Sequence, residues 1–281
     1  MAEISAKDVA ALRKMTGAGM MDCKKALEAT GGDLDAAKDW LREKGLAGAA
    51  KRAGRAADNG AVDVAVEGGT GALVELNCET DFVAKGADFT SFVESLTQHV
   101  LDHGDADLLA QAYDGGTVAD AIAQLSAKVG EKIELGRVHR FEAPDAVLDA
   151  YKHIQNERGV VGVLVEVAGV DVSDTKAREV AHDIALHIAS AAPLYVSRDD
   201  VPPAEVERER AILEAQTREE GKPEQALPKI VEGKLNGFFK QVALLEQAFV
   251  KDNKTTIAQL VASLGNGATV RRFARVKIGE E

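Results

Sequence analysis

From residue 60 onward, polar and apolar positions alternate. Val62-Asp-Val64-Ala-Val66 has a period of two, Gly68-Gly-Thr-Gly71 reads as a turn, and Ala72-Leu-Val-Glu-Leu76 continues as a second run. That pattern predicts a β-hairpin. Helical runs over Phe89–Leu101 and Val118–Lys128 follow, then a strand over Ile133–Phe141, which completes an α+β unit. The N-terminal stretch has a different rhythm. Ser5 is placed to cap a helix with Val9, Leu12 and Met15 on one face, and Thr16-Gly-Ala-Gly19 breaks it. Met21–Leu27 forms a second helix that Gly31-Gly32 stops. Asp33 caps a third helix, with Leu34, Ala37 and Leu41 inward. A core this small calls for packing against another surface.

The α+β order recurs. Gly162–Val167 matches Ala72–Leu76, and Arg178–Ala189 matches the helix after it, with His99 and His187 at equivalent turns. Thr255–Val261 resembles Thr117–Leu125, and the strand Val270–Val276 resembles Ile133–Val138. The pattern predicts an internal duplication. The second copy carries an insertion that reads as an antiparallel helical hairpin. Its arms are Ala204–Glu220 and Glu224–Phe249, and its seam is Leu227, Ile230/Val231, Leu235, Phe238, Val242 and Leu245. Such a hairpin either packs on itself or offers a seam for dimerisation or a partner. The expected organisation is a three-helix unit at 1–46, a basic linker at 47–60, a first core half at 61–144 and a second at 145–281, interrupted by the hairpin at 198–247. The fold class is α+β with antiparallel sheets.

Composition narrows the function. With 281 residues, 46% hydrophobic and 28% charged, the chain is an ordinary globular protein of two or three units. Aromatics are only 4%, so Ala, Val, Leu and Ile must fill the core. A formal net charge of −12 argues against broad phosphate-backbone binding, and no direct nucleic-acid contact is expected. The cationic cluster Lys51, Arg52, Arg55 reads as a solvated linker or a helical extension, or as a complement to an acidic partner. The N-terminus has no signal-peptide character, and no apolar run reaches the roughly 18–20 residues of a membrane span. A cytoplasmic location is expected.

Catalytic chemistry finds little support. No Walker-type phosphate loop is present, and Gly68–Gly71 lies between strands rather than before a helix. His99 and His103 stand at i,i+4 without acidic or thiol partners, a poor basis for a metal site. Cys78 is followed by Glu79 and Asp81, which raise a thiol pKa rather than lower it. No enzyme activity, metal or cofactor is expected. Two features invite a binding role. Met20 and Met21 are adjacent at a turn, where both cannot point inward, and Met suits partner surfaces. Glu79-Thr-Asp-Phe-Val83 sets an aromatic among acids. Either Thr80 or Asp81 caps a helix while Phe82 staples it to the core, or Phe82 is an exposed anchor. The second copy replaces this segment with Gly169–Thr175, shorter and without an aromatic, which favours the anchor. The residues alone leave open a general protein adaptor or a thiol enzyme built on Cys78.

Leu12-Arg-Lys-Met-Thr-Gly-Ala-Gly-Met-Met-Asp-Cys-Lys-Lys-Ala-Leu27 and Asn77-Cys-Glu-Thr-Asp-Phe-Val-Ala84 closely resemble the corresponding stretches of the bacterial elongation factor Ts family. The resemblance extends over the full chain. It implies an N-terminal module similar to ubiquitin-associated domains, a duplicated core and a coiled-coil hairpin. It implies a guanine-nucleotide exchange factor for the GTPase elongation factor Tu. In that family the loop matching Thr80, Asp81, Phe82 and Val83 dislocates the magnesium ion of Tu, and Phe82 would act as a wedge. Further partner contacts fall by match on Met20, Met21 and Lys24, on Val129 and Gly130, and on His153. Homodimers and heterodimeric or heterotetrameric assemblies with Tu stay open. Ending at Glu281, the chain is expected to lack a further C-terminal helical module of some family members.

Overall fold

A computed structural model describes residues 4–280, apart from the side chains of residues 46, 47, 49 and 50. Residues 1–3, at the start of the expected helical unit, and residue 281 lie outside it. Helices α1 (Ala6–Thr16), α2 (Met20–Ala29) and α3 (Leu34–Arg52) form the N-terminal unit. Ser5 caps α1 by accepting from the Asp8 amide at 3.2 Å, and the Asp33 carboxylate accepts from the amides of Asp35 and Ala36. Val9, Leu12, Cys23, Ala26, Leu27 and Ala37 fill its interior.

The expected linker needs correcting. Helix α3 continues to Arg52, so only residues 53–58 connect the unit to the next strand. Alanine-rich sequence favours helix, and the extension has a surface to lie on. Arg42 pairs with Asp120, and a Cβ on Gly45 would sit 3.4 Å from the Ala127 Cβ. Arg52 donates to Ser126 Oγ at 3.0 Å. The small helical unit thereby borrows the core's surface.

The core begins with strands β1 (Asn59–Glu67) and β2 (Thr70–Cys78). Their turn is only Gly68-Gly69, because Thr70 and Gly71 already pair with Glu67 and Val66. Then come α4 (Asp81–Ala84), α5 (Ala87–His103), the short strands β3 (Ala112–Tyr113) and β4 (Gly116–Thr117), α6 (Val118–Val129) and β5 (Ile133–Glu142). The second half has β6 (Val147–Gln155), β7 (Arg158–Ala168) and α7 (Thr175–Ala191). Helices α8 (Pro203–Glu219) and α9 (Leu227–Val242) follow, then β8 (Ala248–Phe249), β9 (Asp252–Thr256), α10 (Ile257–Ala262) and β10 (Thr269–Lys277).

Two antiparallel sheets, ordered β1-β2-β5 and β6-β7-β10, stack face to face. Alternation along the strands decides the layers. Ala72, Val74, Leu76 and Cys78 face outward beneath Phe89, Val93, Leu96 and Val100 of α5. Val161, Val163, Val165 and Val167 face outward beneath α7. Val62, Val64 and Leu73 meet Leu148, Leu164 and Val276 between the sheets. The result is four layers, helix–sheet–sheet–helix.

The two halves repeat individual hydrogen bonds. His99 Nε2 lies 2.7 Å from Gln111 Oε1, and His187 Nε2 lies 2.8 Å from Gln247 Oε1. Those glutamines' carbonyls accept from Val118 N and Ile257 N, at the starts of α6 and α10. The ladders fix how the last strands correspond. Arg140 stands opposite Ala72 and Arg275 opposite Val163, so Arg275 corresponds to Arg140. Both guanidiniums reach the long helix of their own half, at Leu101 O of α5 and Ala189 O of α7. A bulge in β5 and another in β10 disguise the register.

The hairpin arms differ from expectation at one end. Helix α9 stops at Val242, where the Ala243 backbone turns extended, and Phe249 belongs to β8. The seam is Leu227, Val231, Leu235 and Phe239, with Phe238 only partly buried. Arg210–Glu232 and Lys234–Glu220 pairs join the arms, and Val206 and Leu213 of α8 pack against the seam. The hairpin packs on itself.

Candidate functional site

The segment 78–85 is fixed from below and open above. Cys78 ends β2 fully buried, its Sγ donating to Thr80 O at 3.2 Å. Burial pushes its thiol up to about 12, with the Glu131 carboxylate adding to the effect. The cause lies in burial and Glu131 rather than in Glu79 and Asp81, the residues to which sequence reading assigns it. Thr80 is extended (φ −124) and caps α4, its hydroxyl accepting from Val83 N at 3.4 Å. The capping half of the expectation is therefore right, and the staple half is not. Val83 and Ala84 pack on the core, whereas Phe82 is 75% exposed. A helix of one turn presents only part of its circumference to the core, and Val83 and Ala84 occupy it.

Lys85 completes the tip. Its Nζ lies 3.0 Å from Asp81 Oδ2 and 4.6 Å from the centre of the Phe82 ring. The ammonium holds the Asp81 carboxyl below the usual range.

Beneath the tip lies a polar frame. The Glu131 carboxylate accepts from Thr80 N at 3.0 Å and from Thr80 Oγ1 at 2.6 Å. Glu79 accepts from the Lys132 amide at 2.6 Å and from Arg55 at 3.0 Å, which together keep its carboxyl below the usual range. Lys132 Nζ donates to Arg55 O at 3.0 Å. Gly130, at φ +79, ends α6 and turns the chain into Glu131. Val129 is half-buried against the core and Gly130 is exposed beside the frame.

The methionine turn lies at the other side of the same helix end. Met20 and Met21 are 59% and 62% exposed, and Lys24 is exposed as well. A Cβ on Gly17 (φ +68) would stand 3.4 Å from Lys128 Cδ, and Lys128 Nζ pairs with Asp88 at 2.8 Å. The end of α6 therefore connects the α1–α2 turn to the 80–83 tip. His153 is not joined to this group. It is exposed on β6 with Tyr151 OH 3.2 Å from its Nδ1, near the His182–Asp149 pair of α7 and β6.

Sequence reasoning passes over Glu131, Ser126, Lys132 and Lys85, and reads Arg52 and Arg55 only as a charge cluster. Glu131 and Thr80 are 51 residues apart, and no local pattern marks such a pair. Among the described residues, no three His, Cys, Asp or Glu side chains are grouped to hold a metal, and no helix is long and apolar enough to cross a membrane.

A family model described as Elongation factor TS matches residues 79–280, from the base of this loop to the last strand. The chain belongs to the elongation factor Ts family. Its relatives reach further toward the N-terminus. Elongation factor Ts of Thermobifida fusca is 52% identical, covering 100% of both chains. The elongation factor Ts of Mycobacterium tuberculosis is 49% identical, also over 100% of both. That of Micrococcus luteus is 45% identical over 99% of this chain and 100% of its own. The similarity thus includes the helical unit that carries Met20 and Met21. Family membership places the chain in protein biosynthesis, at translation elongation.

Proposed function

We propose that this chain is a guanine-nucleotide exchange factor that binds elongation factor Tu, dislodges Mg²⁺ from it and speeds GDP release so that GTP can rebind. The observation that carries the reading is Phe82, an aromatic left 75% exposed on a one-turn helix whose base is held by a polar frame. Leaving so large an apolar ring in water has a use when a partner supplies the pocket. Asp81, ionised at neutral pH, adds a negative charge at the same tip, where it disfavours phosphate or competes for a cation. Met20, Met21 and Lys24, with Val129 and Gly130, form the surrounding docking surface, and His153 marks a second contact.

Exchange is a matter of linkage. A factor that stabilises nucleotide-free Tu weakens nucleotide binding by the same coupling energy. Shifting an equilibrium by about 10⁴ takes about 5.5 kcal/mol of differential binding. Burying one Phe contributes roughly 1.5–3 kcal/mol. Docking by the helical unit and the second core half must contribute the remainder. We read the helical unit as a ubiquitin-associated-like module, the core as a duplicated pair split near residue 144, and the hairpin as a coiled coil. Each serves this broad contact.

Phe82→Ala is expected to slow release of a fluorescent GDP from Tu by roughly ten- to hundredfold, the kinetic equivalent of that burial. The initial association with GDP-bound Tu should change far less. An unchanged stopped-flow release rate would remove the wedge. A general adaptor would bind Tu without regard to GDP, so retention of the complex at high GDP would favour that alternative.

A further inference from the structure

We propose that Glu131 is the positioning residue that aims Phe82, and that through it the α6–β5 junction sets the rate of nucleotide release. The inference rests on the wedge reading of Phe82. A helix of four residues has almost no hold of its own, so its cap decides its direction. Thr80 supplies that cap, and Glu131 controls Thr80. One carboxylate oxygen accepts from Thr80 N at 3.0 Å and the other from Thr80 Oγ1 at 2.6 Å. With the hydroxyl proton committed to Glu131, a lone pair of Oγ1 is left for Val83 N, at 3.4 Å. Glu131 therefore orients the hydroxyl that starts the helix whose second residue is Phe82.

Glu131 is itself fixed on both sides. Gly130 turns the chain at φ +79, and Ser126 Oγ donates to Glu131 O at 2.5 Å while accepting from Arg52. The next amide, of Lys132, is bonded to Glu79, at the foot of the same loop. The Arg52–Ser126–Glu131–Thr80 series runs from the end of α3 to the tip. It makes the helical unit and the wedge one rigid frame, so that docking through Met20 and Met21 brings Phe82 to a set place.

The test is stopped-flow release of fluorescent GDP from elongation factor Tu, with the full chain titrated to saturation. Glu131→Ala is expected to lower the saturating release rate about tenfold, the low end of the loss expected for Phe82→Ala, because the ring remains but is no longer aimed. The half-saturating concentration should stay near its original value, because the docking surface is untouched. Glu131→Gln should recover most of the rate, its amide oxygen accepting from Thr80 N and its NH₂ donating to Thr80 Oγ1. The Glu131→Ala/Phe82→Ala double variant should be no slower than Phe82→Ala, since Glu131 acts through the ring. The proposal is overturned if Glu131→Ala releases at the normal rate while Phe82→Ala is slow, if the two losses multiply, or if Gln fails to recover the rate. If Phe82→Ala itself is normal, the wedge reading has failed, which is a separate result. Should the alanine variant lose its thermal transition, Thr80→Val removes only the hydroxyl arm and carries the same test, with slow release expected and a normal rate overturning it.

Discussion

Lys85 reaches back along the loop to meet both Asp81 and Phe82, and its two contacts have different uses. The ion pair is open to solvent, with Asp81 exposed and Lys85 part-buried, and such surface pairs contribute about 0–1 kcal/mol to stability. The cation over the ring restricts where Phe82 points. Lys85→Met keeps the apolar stem and removes the charge. It is expected to leave the denaturation midpoint nearly unchanged yet slow GDP release several-fold; equal release rates for the two proteins would deny Lys85 a part. The acid limb follows from Asp81. Its carboxyl is lowered by Lys85, so the pair persists at neutral pH and is lost as pH falls through that depressed value. At this scale the sequence reveals an aromatic out of place, because Phe beside acids conflicts with any simple burial pattern. It also reveals that Thr80 caps, because that bond is local. Glu131 is hidden for the opposite reason: its partner is brought to it by β2 and β5 pairing, which places Cys78 opposite Ile133.

Helices were legible where their caps are local, at Ser5 and Asp33. They were misjudged where tertiary contact decides, as in α3, which runs on to Arg52 because α6 supports it. The pairing of α5 and α7 with distant glutamines was foreshadowed only by the matched positions of His99 and His187. His187 offers a pH test. It is fully buried, with Nε2 2.8 Å from Gln247 Oε1 and Nδ1 accepting from Val250 N at 3.3 Å. The neutral ring, protonated on Nε2, satisfies both contacts, and burial lowers its pKa. The unfolded chain takes up a proton near the ordinary histidine value of about 6.5, while the native chain resists until a lower pH. Stability therefore falls as pH drops below about 6.5 and continues to fall until the native value is reached. His139, lowered by burial and by Arg137, acts in the same direction. His187→Gln is expected to be less stable than the parent at pH 7 but to show a shallower loss between pH 7 and 5.5 in denaturant titrations. An identical slope would mean that the ring titrates alike in the native and unfolded chains.

Across the whole molecule, the two halves clip each other by the same device used twice. Glu75 and Glu166 are buried at equivalent places between the sheets. Arg137 Nε bonds Glu75 at 2.7 Å and sends Nη2 to Lys277 O at 2.9 Å, the end of the other half's last strand. Arg272 Nε bonds Glu166 at 2.6 Å and sends Nη2 to Glu142 O at 3.2 Å, the equivalent end in the first half. The reciprocity is what an approximate twofold between two like units produces. The bulges are part of it, since each lets an extra strand residue turn its side chain back to the buried acid. One difference breaks the symmetry. Glu166 has a second cation, Arg271, whereas among the described residues the only further donor to Glu75 is the Arg137 amide. Removing one partner of a buried pair is strongly destabilising because a charge is left behind. Arg137→Ala is therefore expected to cost about 3 kcal/mol, the low end for such a break because the amide remains. Arg272→Ala should cost less, roughly 2 kcal/mol, because it gives up its bonds to Glu166 and Glu142 O while Arg271 still neutralises the acid. Equilibrium urea unfolding of the two variants measures the difference directly. Equal losses, or a larger loss for Arg272→Ala, would show that the clips are held by the cross-half carbonyl bonds rather than by neutralising the buried acids.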